Sequence, residues 1–113
     1  VNRRATAGRE GEDAAVRLLE ESGYLVIARN VRMPGGEIDI IARERDVIAF
    51  VEVKARGSRA FGSALGAVDA RKRRTLRALA ADWLQIAAPG AQARFDIVTV
   101  EGGRAALHRG AFA

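Results

Sequence analysis

The chain has 113 residues, 49% of them hydrophobic and 29% charged, which is the size and balance of one globular domain with a single core. It contains no cysteine and one histidine, His108, so disulfides, thiolate chemistry and multi-histidine metal sites are excluded. Nineteen basic residues against fourteen acidic ones give a net charge of +5, which favours a polyanionic partner, nucleic acid first.

Any metal in such a chain has to be a hard ion on carboxylate oxygens: magnesium, manganese or calcium. No apolar run approaches the roughly 20 residues of a membrane span. With no leader pattern, a soluble cytoplasmic protein is expected. The lysines number two, Lys54 and Lys72, so seventeen of the nineteen basic residues are arginine. Where arginine serves as the general cation, those two lysines mark places that suit a compact ammonium.

Residues 1–7 read as a frayed end. From Gly8 or Arg9 to Ser22 the spacing predicts a helix stopped by Gly23, with Ala14, Ala15, Leu18 and Leu19 on its apolar face. Glu12 falls inside that apolar arc, either as a dipole-complementing acid that reaches water or as a functional group facing inward. Tyr24 to Arg32 reads as a strand ended by the turn Met33-Pro34-Gly35-Gly36.

Gly35 to Arg56 (GGEIDIIARERDVIAFVEVKAR) reads as a hairpin of two apolar strands into which Glu37, Asp39, Glu52 and Lys54 are set. With Arg43 to Asp46 as a four-residue turn, Asp39 opposes Phe50 and Glu37 opposes Glu52. Alternation then puts Ile38, Ile40, Ala42, Val47, Ala49, Val51 and Val53 on one face. The other face carries Ile41, Ile48 and Phe50 near the turn and the charges at the far end. Asp39 and Glu52 become diagonal neighbours, ~7–8 Å apart at Cα, close enough to share an ion.

Gly57 to Gly62 reads as a loop, with Arg56 and Arg59 placed to touch phosphate. A second helix starts between Ser63 and Asp69 and runs to about Ala87, with Val68, Leu76, Leu79, Trp83 and Ile86 as its buried stripe and Lys72 in the middle of that stripe. Arg71, Arg73, Arg74 and Arg77 lie on its outer arcs, as a solvated face or as a phosphate track. Ala93 to Val100 and Ala105 to His108 complete the strands. Asp96 is expected to pair with an arginine or to cap an edge, and His108 to be a surface residue.

The order helix, three strands, helix, strand and a short final strand predicts an α/β domain with a mixed sheet flanked by helices. A carboxylate on one strand and Glu-x-Lys on the next suit metal-assisted phosphodiester hydrolysis. Asp39, Glu52 and the Val53 carbonyl would hold Mg²⁺ or Mn²⁺, Lys54 would steady developing charge, and Glu12 would bind a second ion or orient water.

At these residues the sequence resembles the YraN-like proteins, an uncharacterised bacterial group related to archaeal Holliday junction resolvases in the PD-(D/E)xK nuclease superfamily. The resemblance runs through GREGEDA (8–14), Arg29-Asn30, GEIDII (36–41), FVEVKAR (50–56), Lys72, Arg94-Phe95-Asp96 and Ala111-Phe112. It implies a restriction-endonuclease-like core, with Asp39 and Glu52 as metal-binding acids, Lys54 as the catalytic lysine and Glu12 as the N-terminal helix glutamate. Ile38 stands where the superfamily pattern has proline. Three readings follow: a Mg²⁺-dependent endonuclease acting on DNA, branched or damaged DNA among its candidate substrates; a nucleic-acid-binding module that does not cut; and an adaptor whose charges form a buried ion-pair network. A two-fold substrate such as a junction would make a homodimer natural.

Overall fold

In the computed structural model, residues 3–55 and 69–113 are described, with side chains from Arg9 onward. The elements are α1 (Arg3–Glu21), β1 (Leu25–Met33), β2 (Gly36–Glu44), β3 (Val47–Ala55), α2 (Ala70–Ala87), β4 (Gln92–Glu101) and β5 (Arg104–Phe112). This is the predicted order. The helix begins at Arg3, inside the stretch expected to be frayed, and β5 runs four residues beyond His108 to Phe112.

The five strands form one mixed sheet in the order β1-β2-β3-β4-β5. Neighbours are antiparallel except β3 and β4, which are parallel and are connected through α2. One helix packs on each face. Ala15 and Leu19 of α1 bury against Ile40, Ala42, Ala49, Val51 and Val98, while Leu76, Leu79 and Ala80 of α2 bury against Ile41, Ile48, Phe50 and Ile97. Trp83 is half-buried and meets the Phe50 ring edge-on at 5.8 Å, a packing role as expected. Ile86 is 84% exposed and leaves the stripe, because it lies at the margin of the arc that Leu76, Leu79 and Ala80 define.

Local chemistry explains the element ends. Gly23 takes φ +93°, and the Tyr24 N–H returns to the Leu19 carbonyl at 2.9 Å, closing α1. Asp69 caps α2 by accepting the Lys72 N–H at 2.8 Å. The Ser63 alternative and the Val68 position lie outside the described residues.

The hairpin register differs from the expected one. Ile40 pairs with Val51 and Glu44 with Val47, so the turn is the two residues Arg45-Asp46 instead of a tetrad. Arg45 supplies the left-handed backbone that so short a turn needs, at φ +54°. The correction shifts the pairing by an even number, so most residues keep their face. Continued by one residue, the same count sets Asp39 against Glu52 directly, not diagonally.

Ile38 is the exception. It packs with the α2 cluster while Ile40 packs with the α1 cluster, although alternation puts both on one face. Gly36 also faces α2, since a Cβ there would stand 3.2 Å from Leu79 Cδ1. The alternation of β2 therefore slips at Asp39. Opposite it on β1, Asn30 has φ +51°, and the paired positions skip from Arg29↔Ile40 to Val31↔Ile38.

Candidate active site

The slip at Asp39 coincides with a fork. β2 stays paired with β1 along Gly36–Arg43, and β3 stays paired with β4 along Val47–Ala55, but β2 and β3 pair with each other only from Ile40/Val51 to the turn. Beyond that point the Val53 N–H is bonded to Asp39 Oδ2, at 2.9 Å. A side chain thus accepts a hydrogen bond that in a continuous ladder goes to a backbone carbonyl. The Val53 backbone meets Asp39 through its amide N–H, which fixes the carboxylate.

Glu52 occupies the other arm of the fork and is 8% exposed. Its Oε1 stands 3.6 Å from Lys72 Nζ, an ion pair beyond hydrogen-bond length. Its Oε2 is buried and accepts no hydrogen bond from any described residue. Burial, followed by the neighbouring charge of Asp39, pushes the Glu52 carboxyl up to about 7, against the pull of Lys72 and Lys54. Asp39 is also raised by burial, opposed by the Val53 N–H and Lys72 and assisted by the charges of Glu12 and Glu37. Two carboxylates drawn out of water side by side, one with an orphaned oxygen, leave a buried charge that a proton or a cation would offset.

Glu12 reaches the same region from α1. Its Oε1 accepts from Arg29 Nε at 2.9 Å and from Asn30 Nδ2 at 2.8 Å, and the left-handed backbone of Asn30 accompanies the second bond. Arg29 also binds Asp13. The structure therefore brings Glu12, Asp39, Glu52, Lys54 and Lys72 toward one end of the sheet. Among the described residues, no three His, Asp or Glu side chains converge on a single metal position. The donors still fit Mg²⁺, which is commonly held by one or two carboxylates and otherwise keeps its waters.

Arg71 and Arg74 are exposed on the first turns of α2. Arg73 is not simply on a solvated face, because its guanidinium lies 5.5 Å from the centroid of the Phe112 ring, and Arg77 donates to the Ala113 carbonyl at 2.8 Å. These two therefore tie α2 to the C-terminal strand. Arg56 and Arg59 lie outside the described residues.

A second polar cluster sits away from the fork. Asp96 is fully buried and accepts from the Tyr24 hydroxyl at 2.6 Å, Arg94 Nε at 3.0 Å and the Gly110 N–H at 2.9 Å. Arg94 continues to Glu44, which Arg109 also binds at 2.7 Å. The arginine partner expected for Asp96 is thus Arg94. The β4–β5 pairing steps from Phe95↔Phe112 to Ile97↔His108, and the Asp96–Gly110 bond fills that irregularity. Sequence reasoning missed Tyr24, Glu44 and Arg109 as partners. The signal for Arg94 was its i+2 spacing from Asp96 on one strand face. His108 is half-buried, with Nε2 3.3 Å from Thr99 Oγ1.

The sequence matches the family described as Uncharacterised protein family UPF0102 over residues 11–100. The chain belongs to this family. Its similarity to UPF0102 proteins is 45% identity with one from Desulfosudis oleivorans, covering 90% of this chain and 84% of the relative. It is 47% with one from Moorella thermoacetica (86% and 82%) and 47% with one from Burkholderia pseudomallei (89% and 71%). This is the YraN-like family that the sequence resembles. The matched UPF0102 span contains Glu12, Asp39, Glu52, Lys54 and Lys72, and of the second cluster Tyr24, Glu44, Arg94 and Asp96, while Arg109 and Gly110 lie beyond it.

Proposed function

We propose that this UPF0102 domain is a metal-dependent endonuclease hydrolysing phosphodiester bonds in DNA, with branched DNA as the first substrate class to try. The observation that carries the reading is the buried, unpartnered Oε2 of Glu52 beside Asp39 at the open end of the β2–β3 fork. A buried carboxylate oxygen without a donor costs several kcal/mol unless a proton or a cation meets it.

Bound Mg²⁺ would supply charge that polarises a phosphoryl oxygen and acidifies an attacking water. Asp39 and Glu52 would hold it, with the Val53 N–H keeping Asp39 in one rotamer. Lys54, within electrostatic reach of Glu52, steadies negative charge on the phosphoryl oxygens. Glu12, fixed through Oε1, leaves Oε2 to orient water. Arg71 and Arg74 offer exposed charge to neighbouring phosphates.

A second reading, a nucleic-acid-binding module that does not cut, is favoured by one observation: Glu12 is already engaged by Arg29 and Asn30. The test incubates the protein with linear, single-stranded and four-way-junction DNA in Mg²⁺ or Mn²⁺, beside Asp39→Ala and Lys54→Ala. Cleavage by the parent that both substitutions abolish supports the nuclease. Binding without cleavage, indifferent to both, supports the binding module.

A further inference from the structure

Lys72 sits in the first turn of α2, and its backbone N–H is held by the Asp69 cap at 2.8 Å. Its Cα is therefore fixed, while its side chain is 46% exposed and reaches back to the fork. Two features distinguish its ammonium from a permanent structural partner. At 3.6 Å from Glu52 Oε1 it is held chiefly by charge, over a contact too long for a strong directional hydrogen bond. Its four-carbon stem is flexible and about half exposed, so the ammonium has open solvent to turn to.

Lys72 also lowers the proton affinity of both acids, Asp39 as well as Glu52, so its charge is felt across the pair. Two buried carboxylates repel each other and need such a charge nearby. A divalent cation between them would supply more charge at shorter range. An ammonium left in place would then be repelled.

We propose that Lys72 is a displaceable counter-ion, paired with Glu52 beside Asp39 in the metal-free protein and released to solvent when a divalent cation binds. It rests on the proposed metal site but not on cleavage. Once released, the ammonium at the entrance of the fork is available to a phosphate oxygen of the substrate.

The chain has two lysines, so ¹³C labelling of lysine gives two Cε signals, assigned with Lys72→Arg. On saturation with Mg²⁺ at pH 8.5, the Lys72 signal should move to the position of a freely solvated lysine. An unmoved signal overturns the proposal. In calorimetric titration with Mg²⁺ at the same pH, Lys72→Met should bind about 3- to 30-fold more tightly than the parent, because a competing charge is gone, and Lys72→Arg within about 2-fold of it. Unchanged or weaker binding by a folded Lys72→Met, or no Mg²⁺ binding by the parent, also overturns it. A protein that releases Lys72 as predicted yet cuts no DNA would refute the nuclease reading and leave this one standing.

Discussion

The Val53 N–H donates to Asp39 Oδ2 at 2.9 Å, so the point where β2 and β3 part is sealed by a side chain and not by backbone. That single bond links the fold to its chemistry. β2 remains with β1, β3 remains with β4, and the gap between them is lined by Asp39 and Glu52. An apolar hairpin closed to its end would have no room for either charge.

Holding Glu52 ionised in this gap costs stability. Glu52→Gln keeps the shape and removes the charge, so it should raise the unfolding free energy at pH 8 by about 1–3 kcal/mol in the absence of divalent cations. Urea denaturation of the two proteins checks this. Equal or lower stability of the variant would contradict it.

The same group gives a pH dependence. The Glu52 carboxyl is raised from its ordinary 4.5 to about 7 in the fold, so between those values the folded state binds more protons than the unfolded one. Stability from this group is therefore complete below about pH 4.5, falls as pH rises, and levels off above about 7. The stability gap between Glu52→Gln and the parent should be near zero at pH 4 and fully open at pH 8. A gap that shrinks with rising pH would refute the assignment.

The Tyr24–Asp96–Arg94 cluster should behave in the opposite way, as pure structure. The Tyr24 hydroxyl, pushed up to about 12 by burial and by Asp96, stays protonated and donates at every working pH. Tyr24→Phe should cost about 1–3 kcal/mol by removing one donor to a buried carboxylate. Asp96→Ala should cost about 3–5 kcal/mol, because the Tyr24 hydroxyl, Arg94 Nε and the Gly110 N–H lose their shared buried acceptor at once, although Arg94 keeps Glu44. In Asp96→Ala, hydrogen exchange at the Gly110 amide should speed up, because that amide loses its acceptor.

Gly36 has φ +155°, and a Cβ there would meet Leu79 Cδ1 at 3.2 Å and Thr75 Cγ2 at 3.5 Å. Gly36→Ala should therefore destabilise by about 1–2 kcal/mol, through strain and through pushing α2 off the sheet. Thermal denaturation reads the effect directly.

Much of this was legible in the sequence, for a physical reason. The period-2 and period-3.6 patterns survive end fraying and even-numbered register errors, so the faces of Ile41, Ile48, Phe50, Ala49 and Val51 and the inward direction of Glu12 follow from spacing alone, whereas Lys72, expected mid-stripe, is 46% exposed and reaches Glu52 from the rim. What spacing does not carry is a local backbone inversion. Arg45 adopts a left-handed turn without being glycine or asparagine, which hid the two-residue hairpin. Asn30 inverts on the neighbouring strand, and Ile38 follows it to the other face. The fork likewise depends on a side-chain-to-backbone bond 14 residues apart in sequence.

The role proposed for Asp39 and Glu52 is to hold a divalent cation together. Its most direct test is thermal unfolding with and without 10 mM Mg²⁺ (or about 1 mM Mn²⁺), a cation that binds only the folded state being stabilising by mass action. The parent should rise in melting temperature at pH 8, and Asp39→Asn and Glu52→Gln should not. A parent that gains nothing from either ion, or variants that gain as much as the parent, would contradict it.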